Sequence, residues 1–211
     1  MKILAICGAA NKSRNTATML QSAFEGAMSV AEATGEIVYL YDLTYRGCVG
    51  CHTCKLLDES KTAHCCMRDD LTGVLEKALA ADVLLIGSPI YFGDVTGETR
   101  SFLERLLFPG MYYDEGHTAT YPKRVKTGWV FTMNAPGHIY KEFFAGLTGL
   151  TSRIIGDSEY VMAYHTKQFE DYSKYAATMF DAEMIHKRHA EQFPIDCQEA
   201  YAMGKRLAQG V

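Results

Sequence analysis

Asp82-Val83-Leu84-Leu85-Ile86-Gly87-Ser88-Pro89-Ile90-Tyr91-Phe92-Gly93-Asp94-Val95-Thr96-Gly97 is the stretch on which the fold turns. Its first six residues form an apolar run ending at glycine, the pattern of a strand buried on both faces of a parallel sheet. Helical spacing follows over 97–108. Outward from there the same grammar repeats. Residues 2–7 predict a first strand, and a helix is expected over 16–33 with Leu20, Phe24, Ala27 and Met28 on one face. Further strands are expected at 36–41, 126–133 and 159–164. Helices are expected at 70–81 (capped by Asp70) and 139–151, and the C-terminal third reads as helical with a break at Pro194. Strands alternating with helices imply an α/β fold, a doubly wound five-stranded parallel sheet with helices on both faces. No linker, repeat or low-complexity stretch interrupts residues 1–211, so a single domain is expected.

Composition narrows the function classes. The chain has 211 residues and a formal net charge of −4, which leaves no basic footprint for nucleic acid. No stretch approaches the ~20 apolar residues of a membrane span, and the N-terminal apolar run is too short for a signal peptide. A cytoplasmic protein off the membrane is expected. Seven cysteines, an odd number, then point toward metal or redox chemistry rather than a disulfide framework.

Open α/β sheets bind ligands beyond the carboxyl ends of their strands, so the loops after strands one, three and four are the places to look. The first carries Gly8, Ala9, Ala10, Ser13, Arg14, Asn15 and Thr16 and leads into a helix N-terminus, a natural phosphate site. The dinucleotide glycine fingerprint is absent, and the Walker pattern fails at Ser13-Arg14-Asn15. The alternative is a plain turn capped by Asn15 or Thr16. The second loop, with Pro89, Ile90, Tyr91, Phe92, Gly93 and Asp94, suits a flat ligand; the alternative places both aromatics in the core. The third offers Asn134, Ala135 and Gly137.

These residues resemble a known family. Ser88-Pro89-Ile90-Tyr91-Phe92-Gly93 with Gly97, Phe102, Glu104 and Arg105 resembles the signature of the NADPH-dependent FMN reductase and flavodoxin-like family, in particular its iron–sulfur flavoprotein branch. Gly8, Asn15 and Thr16 match the family's Gly-Ser-x-Arg-x-x-Gly-Asn-Thr, with Ala9, Asn11 and Arg14 in place of Ser, Arg and Gly. The ending Gln192-Phe193-Pro194-Ile195-Asp196, with Ala200-Tyr201 and Gly204, is similar too. The resemblance implies a flavodoxin-like fold, FMN with its phosphate in the first loop and its isoalloxazine against the second and third, and a homodimer or homotetramer. It implies an oxidoreductase that passes electrons from NAD(P)H through FMN to a quinone, flavin or other small-molecule acceptor. The flavin carries the chemistry, no side chain need act as nucleophile, and Tyr91, Phe92 and Asp94 orient the ring. The alternative is an electron-transfer flavoprotein fed by a redox partner protein.

Cys48, Cys51 and Cys54 form a C-x2-C-x2-C run, with Cys65 and Cys66 following. Such spacing suits an iron–sulfur cluster, and the resemblance puts Cys65 in the place of a fourth ligand. Three readings stand open: cysteines without a stable metal, reduced or in a labile disulfide; a [4Fe–4S] cluster on Cys48, Cys51, Cys54 and Cys65; and zinc, with His52 or His64. The run follows the second strand, so it is expected on the ligand side of the sheet. Cys7 and Cys197 read as buried small residues. Met111, Tyr112, Tyr113 and Tyr121, in the irregular stretch 109–124, are the expected subunit contact.

Overall fold

The apolar runs become strands because they bury both faces. β1 (Lys2–Cys7) turns Ile3, Ala5 and Cys7 toward one cluster of helices and Leu4 and Ile6 toward another, the two-residue alternation of a strand. In this computed structural model the described residues are 1–57, 64–116, 119 and 121–211. The other strands are β2 (Thr34–Tyr39), β3 (Val83–Tyr91), β4 (Asp94–Val95), β5 (Lys126–Thr132) and β6 (Ser158–Ala163). The helices are α1 (Asn15–Met28), α2 (Leu71–Ala80), α3 (Gly97–Leu107), α4 (Lys141–Ile154), α5 (Ala182–Glu191) and α6 (Phe193–Gln209).

The parallel sheet runs β2-β1-β3-β5-β6, and β4 pairs antiparallel with the end of β3. Among the parallel strands this is the flavodoxin-like order, with its topological switch point between β1 and β3. One face carries α1 and α6 over Ile3, Ala5, Val83, Leu85 and Val130. The opposite face carries α2, α3 and α4 over Leu84, Ile86, Trp129 and Phe131. Phe131 stacks between Trp129 and Phe144, at centroid distances of 5.3 and 4.4 Å. Among the described residues no helix is long and apolar enough to cross a membrane.

Three local expectations shift. α1 stops at Met28 instead of 33, because the Ser29 hydroxyl donates to the Gly26 carbonyl at 2.7 Å and Glu32 turns left-handed at φ 60°. Asp70 precedes α2 but does not cap it: its carboxylate accepts the Thr44 N–H at 2.8 Å, and neighbouring Asp69 accepts the Leu71 N–H at 3.1 Å. The expected strand at 82–87 continues to Tyr91 and folds back into β4. The break before α6 falls where expected, with Pro194 in its first turn, where a missing N–H costs no hydrogen bond.

Candidate functional site

A cleft of about 410 Å³ opens at the carboxyl ends of β1, β3, β5 and β6, beside the switch point. Its size is that of a cofactor pocket. Of the residues singled out from sequence, Ala9, Ala10, Arg14, Asn15, Thr16, Pro89, Ile90, Tyr91 and Asn134 line it. Gly8, Ser13, Phe92, Gly93, Asp94, Ala135 and Gly137 do not.

The first loop is shaped by Asn11, whose side-chain oxygen accepts the Ser13 N–H at 2.9 Å and lies 3.0 Å from its hydroxyl. Arg14 enters α1 in extended conformation, no described side chain caps that helix, and no acidic residue occupies its first turn. Its leading N–H groups therefore remain available to an anion. Neither Asn15 nor Thr16 acts as the cap of a plain turn. Asn15 donates to the Lys167 carbonyl at 2.9 Å, and the Thr16 hydroxyl lies 2.6 Å from that of Thr132.

The second loop is a tight hairpin. Tyr91 pairs with Asp94, leaving Phe92 and Gly93 at the tip with φ of 51° and 84°. Positive φ at both central residues is what a type I′ hairpin turn requires, and Gly93 meets it without a Cβ penalty. Tyr91 is 55% exposed and Phe92 fully exposed, so neither belongs to the core. Asp94 accepts the Val95 N–H at 2.7 Å and pairs with Arg100, fastening the hairpin to α3. Thr96 ties the two loops together: its hydroxyl donates to the Gly8 carbonyl at 2.8 Å and its N–H to the Ser88 hydroxyl at 3.1 Å.

In the third loop, Asn134 presents a side-chain amide whose oxygen and nitrogen are both buried without a hydrogen-bond partner among the described residues. An unmatched buried amide costs about 1–3 kcal/mol, and this one lines the cleft. It fits a ligand edge offering both a donor and an acceptor. Gly137 packs under Tyr164 and Met162.

A fourth wall was not read from sequence: Thr166, Lys167, Gln168, Phe169 and Tyr175. Thr166 donates its hydroxyl to the Met133 carbonyl at 3.1 Å, and Phe169 stacks on Tyr175 with centroids 3.9 Å apart. These residues follow the carboxyl end of β6, so the rule that singled out the other loops would have found them. A larger cavity, about 540 Å³, lies between α2 and α3. Its described lining comes from α2, α3 and the residues beside them, with no strand end opening into it, so the cleft is the better candidate for the cofactor.

The cysteines gather elsewhere. Cys48, Cys51, Cys54, Cys65 and Cys66 line one hollow against Glu104, Arg105, Phe108 and Pro109, at the end of α3. Arg105 is eight residues into that helix, about 12 Å from its start at 1.5 Å per residue. The hollow thus flanks the helix rather than the ligand mouth where the run was expected. Two α3 side chains set this. Glu104 accepts the Cys48 N–H at 3.1 Å. Arg105, whose side chain is wholly buried, donates to the Arg46 carbonyl at 3.1 Å, the Met67 carbonyl at 3.4 Å and the Asp69 carboxylate at 2.6 Å. Burial pushes the Asp69 carboxyl up, but Arg105 and the N–H groups of Arg46 and Leu71 outweigh it and leave it below its ordinary value. The Cys51 thiol is pulled down by the Thr53 N–H and hydroxyl and by Cys66, whereas burial pushes Cys54 up. The hollow holds about 20 Å³, room for about one water. Among the described residues no three His, Cys, Asp or Glu side chains converge to hold a metal. As placed, the sulfurs do not fit a cluster or zinc.

Of the expected contact residues, Tyr112 and Tyr113 are exposed, while Tyr121 is folded into its own subunit with its hydroxyl on the Leu106 carbonyl at 2.6 Å. Residues 117, 118 and 120 of that stretch lie outside the described set.

Comparison with known proteins gives a consistent placement. An iron–sulfur flavoprotein of Archaeoglobus fulgidus is 39% identical over 105 residues, covering 50% of this chain and 48% of that protein. The matched stretch thus spans about half the length of that relative. Among solved structures, an NAD(P)H:quinone oxidoreductase from Methanothermobacter marburgensis superposes with a TM-score of 0.64 at 13% identity, covering 98% of this chain and 96% of that one. An FMN-dependent NADH-azoreductase from Bacillus anthracis in complex with FMN also gives 0.64 at 13% identity, covering 98% and 99%. These likenesses establish the shared flavodoxin-like fold. Residues 1–123, which contain the first two loops of the cleft, match the family described as NADPH-dependent FMN reductase, and the chain belongs to that family.

Proposed function

We propose that residues 1–211 form one FMN-binding unit that carries electrons from NAD(P)H to a quinone, flavin or other small acceptor. The observation that carries this reading is the cleft itself: an uncapped helix N-terminus at one end and an unmatched buried amide at the other. The α1 N–H groups would hold the phosphate, with Asn15 and Thr16 supplying donors, Arg14 a charge, and Ser13 lying outside the cleft lining where it shapes the loop. Pro89, Ile90 and Tyr91 would lie along the ring, and Asn134 would meet its pyrimidine edge. Bound FMN would supply the hydride and single-electron chemistry; the chain's part is to bind it, orient it and leave one ring face open. Gly8, Phe92, Gly93, Asp94, Ala135 and Gly137 support these loops from behind or at the rim.

Titration of apoprotein with FMN and riboflavin, followed by steady-state oxidation of NADH and NADPH, tests the proposal. Equal affinity for the two flavins would reject the phosphate assignment. A flavin-loaded chain that oxidises neither nicotinamide would favour the second reading, an electron-transfer flavoprotein fed by a partner protein. Five cysteines around one hollow, together with the name of the Archaeoglobus relative, favour that reading. Iron and acid-labile sulfide assays on anaerobic protein separate a cluster from free thiols. A second copy of the chain is the expected partner, meeting the exposed rings of Tyr112 and Tyr113. A monomer by light scattering at micromolar concentration would remove that element.

A further inference from the structure

We propose that Cys51 and Cys66 form a dithiol–disulfide couple, a redox modification site on the cysteine hollow whose oxidant is a low-molecular-weight disulfide. The inference goes beyond the flavin reading, and bound flavin enters its test only as a marker of the folded chain.

Five cysteines surround the hollow, yet one pair stands apart. The Cys51 and Cys66 sulfurs are 3.5 Å from each other, and both residues are exposed. A disulfide needs about 2.05 Å, so the sulfurs must close by roughly 1.5 Å. Each lies on irregular backbone, with no helix or strand to distort. The other three are held differently. Cys54 is buried, Cys65 is half-buried, and the Cys48 backbone is tethered to Glu104. The pair is also asymmetric. The Cys51 thiol is drawn below its ordinary value, Thr53 being the first cause, and His52 holds a left-handed turn, φ 56°, between the two. Exposed, and with a partner sulfur 3.5 Å away, Cys51 is assigned as the attacking sulfur and Cys66 as the resolving one.

The chemistry is two exchanges. The Cys51 thiolate attacks one sulfur of the external disulfide; a Cys51–S bond forms, the external S–S bond breaks, and one thiolate leaves to take up a proton. The Cys66 thiolate then attacks Cys51 of the mixed disulfide. The Cys51–Cys66 bond forms, and the second external thiolate leaves and is protonated. Two protein thiols are oxidised and one external disulfide is reduced to two thiols. The oxidised state bridges Cys51 to Cys66 across the mouth of the hollow.

The test is treatment of the flavin-loaded chain with glutathione disulfide, blocking of remaining thiols with iodoacetamide, and peptide mapping. The expected result is a peptide pair linked through Cys51 and Cys66, two glutathione molecules released per link, and no adduct retained on either residue. Cys66→Ser should leave glutathione on Cys51, because the resolving sulfur is gone, and flavin absorbance confirms that the variant is folded. Cys48→Ser should form the same link as the parent chain. A Cys51 linked to Cys48, Cys54 or Cys65, a stable adduct on Cys51 in the parent chain, or no reaction at all would overturn the proposal.

Discussion

The cleft and the cysteine hollow lie at opposite ends of α3 and are built on different principles. The cleft is a product of topology. Four strand ends deliver its loops, and two of those loops are joined by the Thr96–Gly8 hydrogen bond. Its backbone is settled, and what it leaves unmatched is a polar side chain, Asn134. The hollow is a product of two side chains of one helix. Among its described residues the segment between Leu43 and α2 has one three-residue helical turn, Thr53–Lys55; Glu104 holds the Cys48 N–H, and Arg105 reaches in to collect two carbonyls and a carboxylate. One region commits its backbone and spares its side chains; the other commits two side chains to hold its backbone.

Arg105→Ala should therefore strip stability from the hollow while sparing the cleft. Removing one partner of a buried pair costs about 3–5 kcal/mol; chemical denaturation measures it, and flavin affinity should hardly move. A parallel loss of flavin binding would show that the two regions are not separable. The same pair sets an acid limb. Asp69 has a depressed carboxyl in the folded chain, so its contribution is present above the ordinary carboxylate value of about 4. It is lost as the pH falls through the lower folded value. The limb below about pH 4 should flatten in Arg105→Ala, as read from denaturation curves taken through the acid range.

At the other region, Asn15→Ala combined with Thr16→Ala should weaken FMN by about 1–3 kcal/mol, the scale of hydrogen bonds to a charged group, and riboflavin by much less. Both side chains also brace the walls, so the riboflavin titration isolates the phosphate part. Asn134→Leu sharpens the comparison, because its two effects have opposite signs. Apoprotein should melt no lower, and about 1 kcal/mol more stably, once the unmatched amide is gone, while FMN binding weakens by a similar amount. An apoprotein destabilised by Asn134→Leu would mean the amide already has a partner. The smallest effect is expected at the hairpin tip. Phe92→Gly relieves a side chain held at positive φ and should raise stability by about 0.5–1 kcal/mol with flavin affinity intact.

What could be read from the residues followed how local the cause was. β1, β3 and β5 announce themselves because both faces are buried, which leaves a run of apolar residues that nothing else in a protein of this size requires. The hairpin after β3 is hidden because its turn is Phe92-Gly93, whereas the usual signal is Asn-Gly or Asp-Gly. α1 was extended too far because Ala31, Glu32 and Ala33 are sound helix formers, and only the Ser29 back-bond and the left-handed Glu32 end it. Asp69 and Asp70 are indistinguishable as caps until their partners, Leu71 and Thr44, are known. The fourth wall and the position of the cysteines needed still more. The first depends on the chain returning across the cleft after β6, and the second on Arg105, 39 residues beyond Cys66, the last cysteine of the group.

The Thr96–Gly8 hydrogen bond has a mechanical meaning for ligand exchange. A Cβ at Gly8 would fall 1.8 Å from the Thr99 hydroxyl, so the phosphate loop sits flush on the first turn of α3 and the two loops move as one jaw. Neither can swing away without breaking the other. The opposing jaw is the 166–175 wall, fastened through the Asn15–Lys167 and Thr166–Met133 contacts. A ligand leaves such a clamp by the side that can yield, and release from this one is expected to follow the peeling of that wall, not the parting of the first two loops.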